Sequence, residues 1–237
     1  MRHLTLGRVR PATWPSGRGV LGRYAAAWAY LAAFVLAELI DSALPARDQS
    51  LLLHWASTNV VNLHHHPVGA LVVSAFIAPT FAWAWPALIA LALFGANRVL
   101  GNGGTALLCV TGQVAGTLVS EGIVAYRTGH GLLPEAANRM VDVGPSYVVV
   151  SAITVAVLFG SWPARAAAVL DLALLVFVGA IFSGLTDLQV APVGHVTAIV
   201  VSVPLGILLA RRARRQPPPE TAGPAESPEP DVRDRPR

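Results

Sequence analysis

Between Tyr24 and Ala210 the chain is a succession of long apolar stretches with short polar breaks, and this pattern restricts the fold more than any other property. Hydrophobic residues make up 54% of the chain and charged residues 13%, with a mean hydropathy of +0.57. A water-soluble domain of 237 residues has too little interior to hide that much apolar surface, so lipid is the expected solvent for most of the chain. Residues 24–44 are enough to cross about 30 Å of hydrocarbon at about 1.5 Å per residue. Further apolar segments lie at 81–96, 105–125, 144–159, 166–184 and 193–210. Residues 67–78 are also apolar but too few to span.

The arginines decide how these segments are threaded. All seventeen basic residues are arginine. Arg2, Arg8, Arg10, Arg18 and Arg23 precede the first span, Arg98 and Arg165 fall between later ones, and Arg211, Arg212, Arg214 and Arg215 follow the last. Six spans place all of them on one side, as the positive-inside rule asks, and leave only Arg47, Arg127 and Arg139 outside. A seventh span at 67–78 would export one arginine-rich end, so that segment is expected to be interfacial, re-entrant or the kinked start of span two. The expected organisation is therefore a cytoplasmic segment at 1–23, a six-span all-α bundle at 24–210 and a disordered cytoplasmic tail at 211–237 rich in Pro, Glu and Arg. A multi-pass protein of the plasma membrane follows, with both termini cytoplasmic. The first apolar stretch lacks a small-residue cleavage site, so it reads as a retained helix. The basic residues show no aromatic-interleaved face for nucleic acid, and contact with anionic headgroups is the expected meaning of their excess. The single cysteine, Cys109, excludes a disulfide framework and a cysteine metal site.

Six spans make the second, fourth and sixth run in the same direction, from outside to inside. Gly144-Pro145-Ser146 opens the fourth, and Gly194-His195 lies near the start of the sixth. Pro145 suits a first helical turn because its missing N–H would have had no partner there. Ser146 then sits among free backbone N–H groups at the positive end of the helix dipole, where a developing oxyanion is stabilised. The bland alternative is a capped helix start. An imidazole inside a span faces the bundle interior, either as a structural group or as a base, and a hydroxyl at matching depth completes the minimum set for acyl transfer. Glu121 and Asp171 are candidates for polar contacts, Asp142 and Asp187 for a third member beside the histidine, and Gly112-x-x-x-Gly116 for close helix packing. The run His64-His65-His66 reads as a wet loop, since adjacent residues seldom converge on one ion.

At these residues the chain resembles the rhomboid family of intramembrane serine proteases. Gly144-Pro145-Ser146 matches the start of the family's Gly-x-Ser-Gly motif, Gly194-His195-Val196-Thr197-Ala198 resembles its span-six motif, and Asn97-Arg98-Val99-Leu100-Gly101 resembles the close of its second span. The resemblance implies Ser146 as nucleophile, His195 as base, and transmembrane proteins as substrates, without a cofactor or metal. It also marks departures. Tyr147 stands where the family has a small glycine, and Phe81 and Trp85 fall where a histidine and an asparagine would donate to the oxyanion. His64, His65, His66 or Asn62 would replace those donors only if the first loop folded inward. A relative that binds membrane clients without cutting them is the second expectation, and a small-solute or metal-handling protein built on the loop histidines the third.

Overall fold

A computed structural model describes residues 17–80 and 83–215, whose regular structure is all helical, with no strand among them. Gly17–Arg23 (α1) leads into Ala25–Ala43 (α2). Three short helices follow, Ala46–Ala56 (α3), Val60–His65 (α4) and Pro67–Ser74 (α5). Then come Trp85–Gly129 (α6), Ser146–Phe159 (α7), Trp162–Phe177 (α8) and Val190–Arg215 (α9). Three of these, α2, α6 and α9, are long and apolar enough to cross a membrane.

The 45 residues of α6 are two helices in one. Gly101 has φ 70° and ψ 179°, a conformation that a side chain forbids, so the helix breaks there into arms 85–100 and 102–129. Asn102 pins the break to α2: its Oδ1 accepts from Ala26 N at 3.2 Å and its Nδ2 donates to Gly22 O at 2.8 Å. Each arm matches one expected apolar segment. The remaining segments fall on α2, α7, α8 and α9, and α9 continues helically through 211–215. The residues beyond 215, like Phe81, lie outside the described part.

With 14 residues, α7 is only about 21 Å long, well short of a bilayer's apolar thickness. It does not need that thickness, because nine of its residues are buried and it lies inside the bundle rather than against lipid. Contacts along it give the directions. Gly194 of α9 meets Tyr147, and Gly206, further along α9, meets Val155 and Phe159, so α7 and α9 run parallel. Gly116 of the second α6 arm meets Tyr147 while Gly112 meets Ser151, so that arm runs against both. The small-residue face expected at Gly112 and Gly116 thus joins helices within one chain.

The segment 67–78 is not part of the next long helix. It is α5 plus a turn that doubles back: Tyr30 Oη donates to Ala75 O at 2.6 Å, and Glu38 accepts from Ala78 N at 2.7 Å. These two anchors are eight residues apart on α2, about 12 Å of helix. The chain therefore enters the bundle along α5 and climbs back out immediately, a re-entrant path. Backbone groups exposed at its tip find side-chain partners, as burial demands.

One buried group is costly. Asp171 on α8 is fully buried and neither carboxylate oxygen has a partner among the described residues. Desolvating an unpaired carboxylate is unfavourable, whereas an apolar side chain of similar volume is not. Asp171→Leu is expected to raise the unfolding free energy of the purified protein in detergent by about 1 kcal/mol or more, and its thermal midpoint with it. A lowered midpoint would show that this carboxylate has a partner.

Candidate functional site

The start of α7 is held by the first loop. Ser57, Thr58 and Asn59 are buried polar residues between α3 and α4. Thr58 N and Oγ1 both donate to Asp142 O, at 2.9 and 3.0 Å, and Oγ1 also lies 3.0 Å from Asp142 Oδ2. Asp142 N donates to Ser57 Oγ at 2.9 Å, and Gly144 N to Ser74 O at 2.8 Å. Gly144 itself has φ 141°, which favours a residue without a side chain. Residues 140–144 are in this way laced to α3–α5, and Ser146 begins its helix from a fixed base. The first α7 amide to find a helical partner is Val149 N, bonded to Pro145 O, so the N–H groups of Ser146, Tyr147 and Val148 have no acceptor within the helix.

His195 is 3% exposed. Its Nδ1 lies 2.8 Å from Ile181 O, and a carbonyl can only accept, so Nδ1 carries the hydrogen. In the neutral ring Nε2 then holds a lone pair, and it is buried with no partner among the described residues. This is the tautomer a general base uses.

The ring against the imidazole belongs to Tyr147: the centroids are 5.2 Å apart, edge to face. Tyr147 Oη donates to Asp142 Oδ2 at 3.2 Å. Neighbours on a helix project about 100° apart, so Ser146 does not share the direction in which Tyr147 reaches α9. No hydrogen bond joins Ser146 and His195, and Ser146, partly exposed, makes none with any other described side chain. The hydroxyls deeper in the helices behave differently. Ser151, Thr154 and Thr197 each donate to the carbonyl four residues back.

Other candidates go elsewhere. Asp142 bonds Tyr147 and Thr58 rather than His195, and Asp187 offers its backbone carbonyl to Arg127 at 2.9 Å. Trp85 Nε1 donates to Thr80 O, and Asn62 Nδ2 donates to the carbonyls of His54, Trp55 and Ser57, so neither donor reaches Ser146. His66 stacks on Trp55 with ring centroids 5.1 Å apart, while His64 and His65 are exposed. Among the described residues no three His, Cys, Asp or Glu side chains converge.

Burial pushes the Asp142 carboxyl above its ordinary value, and the hydrogen bonds from Thr58 and Tyr147 pull it part of the way back. The second α6 arm adds Gln113, Thr117 and Glu121, four residues apart on one face, all buried. Sequence reading missed this clamp of Thr58, Asp142 and Tyr147. The available signal was the polar triplet 57–59 in an apolar chain and an aspartate two residues before Gly144.

A helix start carrying a serine, parallel to a helix carrying a lone-pair imidazole at the same end, is what the three short motifs led one to expect. The family model described as "Rhomboid-like protein" matches residues 21–215. The chain belongs to the rhomboid-like family. Neither the curated proteins nor the solved structures compared with it give a match. The matched residues run from within α1 to the end of α9, so α2 through α9 lie in the rhomboid-like unit, and family and apolar helices together make this a membrane protein.

Proposed function

We propose that this rhomboid-like protein is an intramembrane serine peptidase that cuts transmembrane proteins, with Ser146 as nucleophile and His195 as base. In this reading six segments cross the plasma membrane, α2, the two α6 arms, α7, α8 and α9, with both termini cytoplasmic. The observation that carries it is that both reactive atoms are uncommitted. Ser146 Oγ holds no hydrogen bond with a described side chain, and His195 Nε2 presents a lone pair with no partner, at the same end of parallel helices.

Cleavage requires Ser146 to turn toward Nε2, past the ring of Tyr147. Oγ attacks the scissile carbonyl carbon while its proton passes to Nε2, and the oxyanion is met by the free N–H groups at the start of α7. Collapse expels the amine, which takes the proton from the imidazolium, and water then hydrolyses the acyl-enzyme through the same base. Substrate enters from lipid and unwinds locally, since a helix hides its carbonyls in hydrogen bonds.

A second reading, binding of membrane clients without cleavage, draws on Tyr147. Its ring rests on His195 in the position where the family pattern has glycine, and the indole of Trp85 is tied to Thr80. One experiment separates the two. Purified protein is treated with a fluorophosphonate probe and mixed with a transmembrane reporter. Peptidase activity predicts labelling that is lost in Ser146→Ala, and reporter cleavage that falls by about 10³-fold or more in His195→Ala. Folded wild type that neither labels nor cleaves, yet retains the reporter, would establish client binding instead.

A further inference from the structure

Between α2, α5 and the second α6 arm, with Leu93 of the first arm and Val148 of α7 also in its wall, lies a cleft of about 460 Å³. Its walls are almost wholly apolar, with Ala29 and Ala33 from α2, Leu71 and Val72 from α5, and Ala106 and Val110 from α6. Of the polar side chains that line it, Tyr30 donates to Ala75 O, Thr105 to Gly101 O and Gln113 Nε2 to Ser74 Oγ, while Gln113 Oε1 has no partner among the described residues. The re-entrant path of α5 creates this space, because the chain runs from Tyr30 toward Glu38 along α2 between Ala75 and Ala78 and leaves the stretch of α2 toward Ala26 uncovered. We propose that the cleft holds one acyl chain of an anionic phospholipid, with the headgroup against Arg23 and Arg98.

Volume decides between a chain and a helix. A spanning helix about 10 Å wide and 30 Å long displaces on the order of 2,000 Å³, several times the cleft. Ligand cavities run from about 300 to 1,000 Å³, and a single extended hydrocarbon chain suits the lower part of that range.

Charge decides the lipid class. One end of the cleft is at Ala26, whose amide is bonded to Asn102 beside the α6 break. Arg23 ends α1 three residues before Ala26, with its guanidinium over the ring of Tyr24, 5.7 Å from the centroid. Asn97 Nδ2 donates to Arg23 O at 3.0 Å, which brings Arg98 to the same rim, and both arginines are exposed. A guanidinium pairs with phosphate through two parallel hydrogen bonds, and a headgroup without a cation of its own leaves the phosphate's charge uncompensated for the two arginines. The cleft includes neither Ser146 nor His195 in its lining, and the proposal does not depend on whether the protein cuts.

The test uses the full chain in nanodiscs carrying trace phosphatidylglycerol with a photoreactive group in its tail, or phosphatidylcholine with the same tail. Adducts from phosphatidylglycerol are expected within 71–76 and 105–114, about tenfold above those from phosphatidylcholine. Ala29→Phe or Ala33→Phe, both at exposed positions, should fill the cleft and cut these adducts at least fivefold. Arg23→Gln with Arg98→Gln should bring phosphatidylglycerol down to the phosphatidylcholine level. Adducts spread evenly over α8 and α9 and unchanged in the filled variants would overturn the proposal. So would equal yields from the two lipids, or a co-purified polypeptide crosslinked at Ala29 in place of lipid.

Discussion

Gly194→Ala is expected to destabilise the protein by about 3 kcal/mol and to abolish any activity that depends on His195. A Cβ at Gly194 would collide with Cζ and Oη of Tyr147. Overpacking a filled interior costs about 1–3 kcal/mol, and the upper figure applies because the ring has nowhere to go. Asp142 holds its hydroxyl, His195 lies against its face, and Gly116 closes the third side. The clash is with a side chain, which makes it testable by a double-mutant cycle. In a Tyr147→Ala background, itself destabilised, adding Gly194→Ala should cost almost nothing. An equal cost in both backgrounds would place the obstruction in the backbone. Thermal or denaturant unfolding in detergent gives both numbers.

The second large effect is expected at Asp142. Asp142→Ala removes the acceptor of Tyr147 Oη and one of two acceptors of Thr58 Oγ1, and hydrogen bonds to a charged group are worth about 1.5–3 kcal/mol each. A loss of about 2–4 kcal/mol in unfolding free energy follows, together with a looser start to α7. The pH dependence has a definite sign. Because burial raises the folded-state value of this carboxyl, the folded protein binds its proton more tightly than the unfolded chain does. Stability contributed by the group is therefore complete at low pH. It declines as pH rises from the ordinary value of 3.8 toward the higher folded value, and is level beyond it. Asp142→Asn lacks this titration. The wild-type unfolding free energy should fall relative to that of the Asn variant across this window, and parallel curves would show that Asp142 is not desolvated.

Much of the bundle was legible in the sequence because hydropathy and arginine placement report the two solvents directly. Each of the six apolar segments has most of its described residues on a helix, and Ser146 and His195 sit at the same end of parallel ones. Hydropathy does not encode how a chain folds within the apolar region. Residues 67–78 were legible only as too short, and their re-entrant path depends on Tyr30 and Glu38 of α2, some forty residues away. The site was less legible than the fold. Tyr147 is one letter from Ser146, yet its role comes from which way it projects and from glycines at 116 and 194 that give it room. The clamp of Thr58 on Asp142 joins residues 84 apart, and no periodicity carries that information.

The hydrogen bond from His195 to Ile181 O has a consequence for mutational screens. The acceptor is main chain, so replacing the Ile181 side chain leaves it in place. What presents that carbonyl is the path of the preceding residue, Ala180, which holds a left-handed φ of 50° without being glycine. The imidazole's usable nitrogen is therefore set by backbone shape in the α8–α9 connection. An alanine scan of that connection would pass silently over it, whereas a proline at 180 or a one-residue deletion there would reassign the proton.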